Sequence, residues 1–76
     1  MKIYIVKSAG YDHCPEFRNL AEARACLAEF VSESMARCKR RFGSACRVKN
    51  GADNYTIRIG NAQSVSVWAT HWIESV

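Results

Sequence analysis

The stretch YDHCP, residues 11–15, sets an acid, a histidine and a thiol side by side. A cysteine nucleophile needs a histidine base to take its proton, and the two meet in space rather than in sequence. Neighbouring side chains in a loop point apart, so Asp12, His13 and Cys14 make no catalytic unit by adjacency, and His71 is the only other histidine. The chain has no glycine-rich phosphate loop, no nucleophile elbow and no paired catalytic carboxylates. These residues predict no catalytic site, and the chain reads as something other than an enzyme.

Cysteines stand at 14, 26, 38 and 46, with no C-x-x-C pair. Zinc ligands usually come in close pairs, so this spacing fits no common zinc site. An even count permits disulfides, but the start MKIYIVKSAG breaks its apolar run at Lys7 and offers no secretion signal. The expectation is a cytoplasmic chain with four free thiols, no metal and no cofactor.

The residues best suited to binding lie later. In SVSVWATHW, residues 64–72, an extended strand would place Ser64, Ser66, Trp68, Thr70 and Trp72 on one face and Val65, Val67 and Ala69 on the other. Two indoles on a polar face suit a protein interface, where tryptophan and arginine serve as anchors. They also suit single-stranded nucleic acid, whose bases stack on rings. The plain alternative is that both rings close the core of a small protein. Nearby, residues 36–52 hold Arg37, Lys39, Arg40, Arg41, Arg47 and Lys49 with no acid, so the positive charge of a chain with net charge +4 is concentrated in this stretch. Such a patch favours an anionic partner, although cationic helix ends also arise simply to offset the helix dipole.

The elements that must position these residues follow from pattern. KIYIVK (2–7) is apolar on both faces and rich in β-branched residues, as an inner strand is. Residues 8–17 read as a loop. Asn19 then caps a helix over about 20–42, with Glu22 three residues on. Its apolar stripe runs Leu20, Ala23, Leu27, Phe30, Val31, Met35, Cys38, Phe42, and Gly43 closes it. Arg24 falls close to that stripe without an evident role. ACRVK (45–49) and YTIRI (55–59) alternate on either side of NGADN (50–54), a turn with Asn-Gly in it, and together they predict a hairpin. A second turn over 60–63 leads to SVSVWATHW as the last strand; ATHWIESV could instead form a short helix. The order is β-α-β-β-β, an α+β fold with one long amphipathic helix on one face of a mostly antiparallel sheet.

A chain of 76 residues makes one domain, 1–76, with a small core. Its longest uncharged run, Ile59 to Ile73, is too polar to span a membrane. Alternation then assigns Cys46, Val48, Ile57, Ile59, Val65 and Val67 to the helix side. Arg47, Lys49, Thr56, Arg58, Ser64, Ser66, Trp68, Thr70 and Trp72 go to the open side. The expected partner-binding set is Arg37, Arg40, Arg41, Arg47, Lys49, Arg58, Trp68 and Trp72.

The start MKIYIVK, the capped amphipathic helix and the aromatic terminal meander together resemble small phage and mobile-element proteins of the anti-CRISPR kind that inhibit type I surveillance complexes. The resemblance covers the whole chain as a pattern and rests on no motif. It implies a stoichiometric protein, acting in the host cytoplasm, that binds a nucleoprotein complex and blocks its access to DNA. A basic chain is not a DNA mimic. The expected partner is therefore an acidic protein surface or a nucleoprotein complex, with the chain a monomer or weak dimer. A nucleic-acid-binding module is the alternative and an uncharacterised enzyme the second. Steep log-linear loss of affinity with salt would mark nucleic acid.

Overall fold

A computed structural model describes residues 2–60 and 65–76. Five strands form one antiparallel sheet: β1 (Tyr4–Ser8), β2 (Glu16–Phe17), β3 (Cys46–Gly51), β4 (Asn54–Gly60) and β5 (Val65–Ser75), in the order β2-β1-β5-β4-β3. The helix α1 (Leu20–Phe42) covers one face, and a single 3₁₀ turn (Gly43–Ala45) joins it to β3. This is the expected α+β class. The C-terminal segment is strand to Ser75, not helix, and the loop over 8–17 contains the short strand β2.

Both ends of α1 are where the sequence places them. Asn19 sits in extended geometry and its Oδ1 accepts from the Ala21 and Glu22 backbone N–H groups at 2.7 and 3.4 Å. Gly43 takes a positive φ of 62°, a conformation other residues resist, and its N–H donates to the Lys39 carbonyl. Lys39, Arg40 and Arg41 fill the last turn, where cations offset the dipole.

The core is divided. Under the first half of α1, Ala23 and Leu27 bury against Val6, with Tyr4, Phe17, Tyr55 and Ile73 around them. Under the second half, Cys38 meets Cys46 and Ile57, with Met35, Ile59, Trp68 and Ala69 packed on. His71, Ser8 and Ser34 form a buried polar layer between the two clusters.

Two local expectations are overturned. Cys38 and Cys46 form a disulfide, so two thiols are free, Cys14 and Cys26, rather than four. The last helical turn aims Cys38 inward, and the tight Gly43 turn brings the first residue of β3 back beneath it, with the Cα atoms 6.3 Å apart. The β3–β4 hairpin turns at Ala52 and Asp53, inside the expected 50–54 turn, with Asp53 at φ 57°. Arg24, whose role the sequence left open, holds this turn. Its guanidinium grips the Asp53 carboxylate through two hydrogen bonds, 2.7 and 3.2 Å, tying the turn to the start of α1. The ion pair holds the Asp53 carboxyl below its ordinary pKa.

The second correction concerns Trp68. Ile57 pairs with Ala69, but Arg58 pairs with Val67, so Trp68 is one residue too many on β5. Such a bulge reverses the alternation on its far side. Trp68 therefore joins the helix-side cluster, and Val67, expected in the core, stands 63% exposed. Ser66, paired with Ile59, shares that reversal. Val48 keeps its helix-side register opposite Ile57, but on the edge strand it stays 46% exposed. The turn over 61–63, Ser64 and the Val65 side chain lie outside the described residues.

Candidate functional site

Register assigns the open face. Arg47 lies directly across from Arg58, and Lys49 from Thr56. Thr70 continues from Thr56, and Val67 from Arg58. No acid occurs anywhere in β3 or β4. Further along the sheet, Trp72 sits between Asn54 of β4 and Lys7 of β1. Its indole Nε1 donates to Glu74 Oε1 at 3.0 Å, while Lys7 Nζ pairs with Glu74 Oε2 at 3.0 Å. Those two contacts, Trp72 first, hold the Glu74 carboxyl below its usual range. The face is thus polarised. Its β3–β4 half is cationic, and its β1–β2 side carries Glu16 beside the mutually neutralised pair of Lys7 and Glu74 of β5.

The expected partner-binding set is split by this geometry. Arg47, Lys49, Arg58 and Trp72 share the open face. Arg37, Arg40 and Arg41 belong to α1, which covers the opposite face. The Arg41 guanidinium lies 5.5 Å from the Phe42 ring centre, and Phe42 meets Trp68 edge-on at 5.4 Å. Trp68 is accordingly a packing residue that closes the lower cluster.

A second feature was not legible as a site. Ser8 Oγ lies 2.6 Å from His71 Nδ1, and Ser34 Oγ lies 2.7 Å from His71 Nε2. The imidazole is only 3% exposed. Burial, reinforced by the Arg37 charge, pushes its pKa below the ordinary histidine value, so it is neutral at pH 7. Arg37 donates to Ser34 Oγ at 3.3 Å. The trio floors a cleft of about 160 Å³ that also touches Tyr11, His13, Phe30 and Glu33. His13 is exposed at its rim, while Cys14 of the same loop is not among its lining residues. The only forewarning in the sequence was Ser34, a small polar residue inside the apolar stripe of α1.

Among the described residues no three or more His, Cys, Asp or Glu side chains gather as metal ligands do. No helix there is long and apolar enough to cross a membrane. No family model matches the chain, and no curated protein or solved structure matches it either.

Proposed function

We propose that this chain is a small stoichiometric binding protein that docks the cationic half of its open sheet face on an acidic surface. In its specific form the proposal is a phage-type inhibitor, active in the host cytoplasm, that blocks a nucleoprotein complex such as a type I CRISPR surveillance complex. The chain is not assigned an enzymatic role.

The carrying observation is Arg47 opposite Arg58. Like charges directly across two strands destabilise the pair. Lys49 adds a third cation on the same side, and no acid of β3 or β4 relieves them. An acidic partner surface supplies the missing counter-charge, and Val67 and the Trp72 ring offer apolar area beside it. The far side offers a long polyanion no unpaired cation, since Lys7 is held by Glu74 and Glu16 is acidic, which favours a protein surface over naked nucleic acid. Arg47 and Lys49 also guard the edge of β3, since a second copy pairing there would meet its own charges; this supports a monomer.

The test is expression of the chain in a host with an active type I system, challenged by a targeted phage. Restored plaquing that is lost with Arg47→Glu/Lys49→Glu supports the inhibitor. If plaquing stays blocked, capture from the same host with and without nuclease decides between an acidic protein and nucleic acid. Nuclease-sensitive capture with a steep salt slope would replace this reading with the nucleic-acid one.

A further inference from the structure

With His71 neutral, the cleft holds one polar proton more than its own hydrogen bonds use. Ser8 and Ser34 bring a hydroxyl proton each and the ring brings one N–H, while the Ser8–His71–Ser34 chain consumes two. Arg37 sets the direction. Its cation stands at the Ser34 end, so the ring proton is better placed on the far nitrogen, Nδ1. Ser34 then donates to Nε2, and Nδ1–H donates to Ser8 Oγ. The chain runs Arg37, Ser34, His71, Ser8, each donor polarising the next. The Ser8 hydroxyl proton is left over. Ser8 ends β1 on the wall of the cleft.

Donors therefore crowd this wall: Ser8 O–H, the unused guanidinium N–H groups of Arg37 and the Tyr11 phenol. Phe30 and the Tyr11 ring supply apolar surface. The volume of about 160 Å³ is benzene-sized, since an apolar cavity of about 150 Å³ accepts benzene. We infer that the cleft over His71 binds a small carboxylate with a flat or short apolar body. The carboxylate takes Arg37 and Ser8 as donors, and the body lies against Phe30 and Tyr11. Glu33, the one carboxylate in the lining, sits a helical turn before Arg37 and opposes an anion there.

This site lies on the helix side of the sheet and stands apart from the docking face. It is tested by titrating benzoate and neutral benzamide into the protein while following backbone amide shifts. Wild type, Arg37→Gln and Glu33→Gln are compared. Both variants alter exposed side chains, so the fold should survive, which melting verifies. Benzoate should move the Ser8, Ser34 and His71 amides saturably, with benzamide about tenfold weaker because it lacks the charge-assisted bond. Arg37→Gln should weaken benzoate by about tenfold, and Glu33→Gln should tighten it. The inference is overturned by equal binding of the two probes, by weakening in Glu33→Gln, by shifts confined to the Arg47–Arg58 face, or by no shift in a folded protein.

Discussion

Arg47 and Arg58 face each other across β3 and β4 on the side of the sheet that no helix covers. Among the described residues no ion pair neutralises them, whereas Lys7 pairs with Glu74 and Arg24 with Asp53. The fold thus places its unrelieved repulsion where a partner can reach it. Stability and binding should respond to these arginines with opposite signs.

The two tryptophans should separate in the same way. Trp68 packs on Phe42 and the Cys38–Cys46 cluster, so Trp68→Ala should lower stability by roughly 2–3 kcal/mol, less than the 3–5 of a fully buried ring. Trp72 stands on the open face, tied to Glu74. Trp72→Ala should change melting little and weaken partner capture more. Melting and capture on both variants check this; a capture loss confined to Trp68→Ala would reverse the assignment.

Burial sets a pH dependence. The folded pKa of His71 lies below its unfolded value near 6.5, so the unfolded chain binds the extra proton first. Its contribution to stability is complete above about pH 6.5 and is lost as pH falls through the folded pKa. Glu33 and Arg37 of α1 and His13 of the covering loop face the same cleft. Denaturant melts from pH 8 to 5 should show falling stability in wild type and a flatter profile in His71→Gln. Asp53 and Glu74, whose pKa values are lowered, act only below that window.

Cysteine chemistry gives a mass-based check. Oxidised protein should alkylate at Cys14 and Cys26 alone, and at all four positions after reduction. The bridge closes a short loop, a sequence separation of 8, worth roughly 2–3 kcal/mol by chain entropy. A reducing host cytoplasm would hold that pair as thiols, so reduced protein should melt lower yet still bind. Four alkylated cysteines before reduction would contradict the bridge.

Periodicity made α1 and its caps legible, because Asn19, the apolar stripe and Gly43 are all local signals. The open-face positions of Arg47, Lys49, Thr56 and Arg58 followed from plain alternation within the hairpin. Alternation failed where one residue was inserted: no feature of SVSVWATHW announces a bulge at Trp68, and the error carried to Val67 and Ser66. The disulfide and the His71 layer were hidden for a different reason. Their partners lie 8, 37 and 63 residues apart, and only the docking of helix on sheet brings them together.

The most direct measurement is Arg47→Glu, read twice on one preparation: thermal melting at low salt, and capture of the partner from nuclease-treated host extract. Replacing the repulsion with an attraction to Arg58 should raise stability by about 0.2–1 kcal/mol, an effect that fades as salt screens it. Capture should fall in the same variant. A protein that melts higher and binds worse is the predicted result. One that melts higher and captures the same partner at full strength would contradict the docking face.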